Sequence, residues 1–182
     1  MPRNGTIKID GIDISKTDLK HLRHQITVVS QNCFLFEDTL RNNINPYLSD
    51  PEKERALVKM MIEMGLDSEE LREKGMDMMV ENDGGNLSQG QKQIISFVRA
   101  VEKNRRIIIL DEATANVDVE TERLFSEALK AHFADSTMII IAHRIQTVIN
   151  CDKICVFDAG KIVEFDSPQN LLRKEGSIFK EL

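Results

Sequence analysis

Three apolar, largely β-branched runs in this chain each end in a polar residue able to do chemistry. Ile26-Thr27-Val28-Val29-Ser30 runs into Gln31, Ile107-Ile108-Ile109-Leu110 into Asp111-Glu112, and Met138-Ile139-Ile140-Ile141-Ala142 into His143. Such runs read as buried strands. In parallel α/β sheets, ligands bind beyond the carboxyl ends of the strands. Neighbouring strands would therefore bring an amide, two carboxylates and an imidazole to one edge. That set suits a metal–phosphate complex with a water to activate. Each piece alone also has a plainer explanation. Apolar runs followed by Asp-Glu also occur as a strand end and a solvated acidic turn, and a lone His is commonly structural.

A fourth site is Leu87-Ser88-Gln89-Gly90-Gln91. Ser88 with Gln91 three residues later has capping-box spacing. Gly90 permits close approach of the backbone to a ligand. A capped helix start with exposed amides can receive an anion. By spacing alone it is equally an ordinary helix cap.

The elements that must position these residues alternate. Residues 6–10 read as a half-exposed strand, and Gly11 begins a turn. Thr17-Asp18 can cap a short helix containing Leu19 and Leu22. Residues 38–103 read as helical. Ser49-Asp50-Pro51-Glu52 is a helix start with a capping side chain, Pro in the first turn and acid at the positive dipole end. Leu57, Met61 and Met64 then recur at helical spacing, and Gly65 stops the run. Residues 81–86 are loop material, and Ile94, Val98 and Val101 mark a second helix face. In the last third, strands at 107–110 and 138–142 alternate with helices at 120–132 and 145–149. Two further strands, 153–157 and 161–165, flank an Ala159-Gly160 turn. Strand–helix alternation with continuous apolar strands predicts an α/β fold with a mainly parallel sheet. Residues 1–182 form one domain on this reading, with a helical insertion at about 38–103.

Composition narrows the class. The 182 residues carry a net charge of −6, with 41% apolar and 30% charged residues. An acidic balance argues against general binding to nucleic acid or anionic membrane. No run approaches the roughly 18–20 apolar residues of a membrane span, so the chain reads as cytosolic, with any membrane role exercised through a partner. Three cysteines cannot complete a disulfide framework. They read as buried reduced thiols rather than a zinc site. The methionines between Met60 and Met79 read as flexible core packing.

In order along the chain, these motifs closely resemble an ATP-binding cassette domain. Gln31 matches the Q-loop glutamine and Leu87-Ser88-Gln89-Gly90-Gln91 the LSGGQ motif. Asp111-Glu112 matches Walker B, Ala115-Asn116-Val117-Asp118 takes the D-loop place, and His143 matches the switch histidine. Residues 9–14, 39–46 and 162–168 look most like the second cassette of the multidrug-resistance-protein (C) subfamily. The resemblance implies a P-loop NTPase-like fold and an ATPase working with ATP and Mg²⁺. It also implies a head-to-tail dimer with a second nucleotide-binding domain, and attachment to transmembrane domains at the cytoplasmic face of a membrane. Asp111 would hold Mg²⁺ through water, and Gln31 would contact Mg²⁺ or water. Glu112 would be the general base, and His143 would touch the γ-phosphate. The segment 87–91, with Asp118, would face ATP held by the partner.

Three departures stand out. Gln89 replaces the first Gly of LSGGQ, and Ala115 and Val117 depart from the usual D-loop residues. No G-x-x-x-x-G-K-[ST] occurs in the sequence, and the one Gly-Lys pair, Gly160-Lys161, is followed by Ile162. The family's first strands and P-loop would precede Thr6, so the expectation is an N-terminally truncated cassette, inactive alone. Two alternatives are a non-catalytic regulatory or dimerising module and a soluble cassette ATPase of DNA repair or translation. The second ranks low because no heptad run is present.

Overall fold

A computed structural model describes residues 5–113, 117, 119–142 and 144–181. The chain divides into two compact units, Met1–Ile139 and Ile140–Leu182.

The first unit opens with a hairpin of β1 (Lys8–Ile9) and β2 (Ile12–Asp13). Asp10 and Gly11 turn it, both at positive φ. Helix α1 (Leu19–Gln25) follows, and the Asp18 carboxylate caps it by accepting from His21 N at 2.8 Å. Strand β3 (Ile26–Ser30) comes next.

Then come β4 (Asp38–Thr39), α2 (Leu40–Ile44), α3 (Pro51–Glu63), α4 (Glu69–Lys74), β5 (Met79–Val80) and α5 (Gln89–Lys103). The start of α3 is the expected one: Asp50 accepts from Glu52 N and Lys53 N, and Pro51 occupies the first turn. Its apolar stripe of Leu57 and Met61 is buried, as is Met64 beyond it, and Gly65 at φ 101° ends the run. The segment is not wholly helical, because β4 and β5 pair antiparallel, Asp38 with Val80 and Thr39 with Met79. Two residues per strand are too short to leave a period in the sequence. Ion pairs lace this region: Arg41 meets Glu54 and Asp77, and Lys53 meets Glu102 at 3.0 Å.

Strand β6 (Ile107–Asp111) returns parallel to β3, with Val29 opposite Leu110 and Ser30 opposite Asp111. Helix α6 (Val119–His132) and β7 (Thr137–Ile141) follow, and the sheet order is β3-β6-β7. These strands are not buried on both faces, contrary to the sequence expectation. Val29, Ile108 and Leu110 are buried, whereas Val28, Ile139 and Ile141 are about half exposed or more. Alternate side chains point to opposite faces, and α5 packs against β3 on one of them. The core on that side includes Phe97, whose ring lies 4.7 Å from Phe125 and 5.8 Å from Phe133.

In the second unit, α7 (Ile145–Val148) precedes the antiparallel pair β8 (Ile154–Asp158) and β9 (Lys161–Asp166). Ala159 and Gly160 turn that pair at positive φ, as expected. Helices α8 (Pro168–Arg173) and α9 (Ile178–Glu181) close it over Ile154, Val156, Leu171 and Phe179. Glu164 is buried here and fully engaged: it accepts from Phe179 N, Ser177 Oγ and Lys174 Nζ at 3.0–3.1 Å. Cys33 and Cys151 are partly buried, but Cys155 is exposed, which corrects the expectation of buried thiols. Along β8 its neighbours Ile154 and Val156 take the buried face, so residue 155 must point outward.

Candidate functional site

The first two sites come together as the strand argument requires. Ser30 and Asp111 are directly paired across β3 and β6, so Gln31 and Glu112 each lie one residue beyond a shared edge. Asp111 is exposed, and Glu112 and Gln31 are half-buried. Glu112 takes φ 50°, in the left-handed region. A side chain other than Gly, Asn or Asp rarely adopts it, and such strain persists where the surroundings hold it. It turns the chain sharply at the end of β6. His143 lies outside the described residues, as does Asp118.

The third site is a built helix start. Ser88 Oγ accepts from Gln91 N at 3.2 Å, and Gln91 Oε1 accepts from Ser88 N at 2.9 Å, a reciprocal capping box. Ser88 and Gln89 are exposed at the head of the 15-residue α5. The amides of Gln89 and Gly90 precede the first helical hydrogen bonds and point out of the helix end. They open into a cleft of about 330 Å³ lined by Ser88, Gly90, Gln91, Gly65, Val117 and Thr121. Leu87, half-buried, seats the segment by donating its amide to Gly84 O at 2.9 Å. A Cβ on Gly90 would meet Val117 Cγ1 at 3.7 Å, so Val117 walls the cleft beside that glycine. A larger groove of about 620 Å³ lies elsewhere, between α3 and α4, and is ringed by charges such as the Arg41–Glu54 pair.

Two connecting residues went unnoticed in the sequence. Gln93 is buried on α5, and its Nε2 donates to Ser30 O at 3.3 Å and to Gln31 O. Arg99, further along α5, donates to Phe34 O at 2.7 Å, to Asn43 O and to Asn43 Oδ1 at 3.2 Å. Burial pulls its guanidinium below the ordinary arginine value and pushes the neighbouring Cys33 thiol up. A polar side chain on the apolar face of a helix was the available signal. Gln93 lies four residues before Phe97, and Arg99 four after Ile95, so each shares a helix face with a buried apolar side chain. The segment after Gln31 is thus pinned by backbone acceptors while Phe34 and Phe36 stand exposed.

A parallel strand pair edged with amide and carboxylates, and a capped helix start open to an anion, suit an α/β protein that takes a phosphate-bearing ligand. Comparison with known families agrees: the ABC transporter family matches residues 1–115. The chain is 40% identical to ABC transporter C family member 2 of Dictyostelium discoideum, over 98% of its own length and 13% of that protein. It is 40% identical to multidrug resistance protein fer6 of Mycosarcoma maydis, again over 98% and 13%. It is 39% identical to bile pigment transporter 1 of Saccharomyces cerevisiae, over 100% and 13%. The chain belongs to the ABC transporter family, as a nucleotide-binding domain of the multidrug-resistance-protein type with a P-loop NTPase fold. It spans about an eighth of the length of these relatives. No described helix is long and apolar enough to cross a membrane.

Proposed function

We propose that this chain forms part of a cassette that couples ATP binding and hydrolysis to transport across a membrane, from the cytoplasmic face. Residues 1–182 would belong to one nucleotide-binding domain, with 38–103 as its helical subdomain. The observation that carries the reading is the shared edge of β3 and β6, where Gln31 and Asp111-Glu112 meet.

On this edge Glu112 accepts the proton of the attacking water, and Gln31 orients that water through its amide. His143 contacts the γ-phosphate. The exposed Asp111 carboxylate and the Gln31 amide oxygen are hard donors suited to Mg²⁺. When bound, that ion neutralises charge on the phosphates. Ser88, Gly90 and Gln91, with Leu87, Gln89 and Asp118, serve ATP held by a second cassette in a head-to-tail dimer. The helix dipole and open amides there favour phosphate. Gln31 reports occupancy to the transmembrane domains through the segment that follows it, in which Phe34 and Phe36 are exposed.

The experiment is Glu112→Gln in the complete protein. A positioned base contributes roughly 10²–10⁴ in rate, so turnover should fall by about that factor while ATP binding persists. Turnover within a few-fold of wild type would remove Glu112 as the base.

The second reading is a non-catalytic module that offers only its LSGGQ-type face. The cleft at Ser88 favours it, since that cleft needs no phosphate loop of its own. The 182 residues alone should not bind Mg-ATP at micromolar strength. Three missing hydrogen bonds to charged phosphate, at about 1.5–3 kcal/mol each, forfeit most of the roughly 8 kcal/mol of micromolar binding. Calorimetric titration measures this, and a micromolar dissociation constant for the chain would contradict it.

A further inference from the structure

We infer that Gln93 is a positioning residue that ties the signature helix to the Q-loop, linking the two ATP sites that one cassette serves. The inference rests on the reading of Gln31 as the nucleotide-facing amide and of Ser88 as the group facing the partner's ATP. The geometry is specific. Gln93 is 2% exposed. Its amide nitrogen reaches both the last carbonyl of β3, at Ser30, and the carbonyl of Gln31 itself. Ser30 in turn pairs with Asp111. Gln93 therefore grips the backbone where the amide and the acid of this cassette's own site are set.

The same residue lies five positions after Ser88 on one continuous helix, α5. At 1.5 Å rise per residue the two are about 7.5 Å apart along the axis. A helix of this length moves as a rod, so displacement of its Ser88 end on closing over the partner's ATP is delivered to Gln31 through the Gln93 amide. The grip has slack on one side. Gln93 Oε1 is buried with no hydrogen-bond partner among the described residues. An unsatisfied buried acceptor is costly, so what this amide contributes at its site is the donor. Apolar residues of similar volume would pack this position without that cost.

The test is a double-variant cycle in the complete protein with its partner cassette. ATP turnover is measured for wild type, Gln93→Met, Gln31→Ala and the double variant, with melting midpoints alongside. Gln93→Met keeps the volume and removes the donor. A net hydrogen bond is worth about two- to tenfold, so turnover should fall about three- to tenfold, chiefly in kcat. If Gln93 acts through Gln31, it should cost less than twofold in the Gln31→Ala background. Effects that multiply, with a lowered melting midpoint, would make Gln93 a packing residue and overturn the inference. Should Gln93→Met melt below assay temperature, Gln93→Leu also removes the donor, and the same cycle run below both melting midpoints decides. If Gln31→Ala itself leaves turnover unchanged, the functional reading of Gln31 fails, and the link falls with it. That outcome is distinguishable from multiplying effects.

Discussion

Ser88 has two possible employments, and one substitution separates them. As a cap, its Oγ accepts from Gln91 N at 3.2 Å. Replacing it with Ala should cost about 0.5–2 kcal/mol of stability. Ser88→Asp retains the cap, because Asp is as good an acceptor there and its charge suits the helix N-terminus. As a phosphate-facing group, the same Asp brings a negative charge against ATP. At about 4 Å, two unit charges repel by about 1 kcal/mol in water and about 4 kcal/mol at an effective dielectric near 20. Since each 1.4 kcal/mol is tenfold, ATP-dependent pairing should weaken by about fivefold to several hundredfold. Ser88 is exposed at the cleft mouth, which points to the lower part of that range until a partner covers it. The assay mixes the chain with a complete matched cassette and follows association by light scattering with and without ATP. Melting of the chain alone reports the cap. The expected pattern is unchanged melting with ATP-dependent association weakened at least about fivefold. Association at the wild-type level for Ser88→Asp would refute the nucleotide role and leave Ser88 as a cap.

Two other substitutions probe the scaffold. Gly84 sits at φ +67°, where an added Cβ would meet Leu35 Cδ1 at 2.8 Å and Lys92 Cε at 3.0 Å. Gly84→Ala should therefore destabilise by about 1–3 kcal/mol, and an unshifted urea midpoint would contradict this. Glu164 is held below its ordinary value by the Phe179 amide, with Lys174 and Ser177 adding to it. A depressed carboxylate stabilises the fold above its unfolded value of about 4.3 and loses that contribution as pH falls through its folded value. Glu164→Gln should be less stable than wild type at pH 7, with the gap closing toward pH 3. A constant difference in melting midpoint across that range would count against the carboxylate.

Much of the site was legible in the sequence because its signals are local. Ser88 and Gln91 make a capping box at fixed spacing, Asp50-Pro51 starts a helix by side-chain chemistry, and Asp10-Gly11 and Ala159-Gly160 turn where positive φ is needed. The order of Gln31, 87–91 and Asp111-Glu112 along the chain carries the family resemblance without any tertiary contact. What one-dimensional order could not give was depth and adjacency. Runs such as 107–110 and 138–142 look buried throughout because every residue is apolar. Exposure of Val28, Ile139 and Ile141 depends on which sheet face is covered, and that is a tertiary matter. The pair β4–β5 is set by partners some forty residues apart and leaves no period. Gln93 and Arg99 carry the same lesson. A glutamine and an arginine on an apolar helix face become intelligible only when the backbone carbonyls of residues 30, 31, 34 and 43 are folded against them. Those acceptors lie more than fifty residues away in sequence, and a hydrogen bond forms only where folding has put donor and acceptor within about 3 Å.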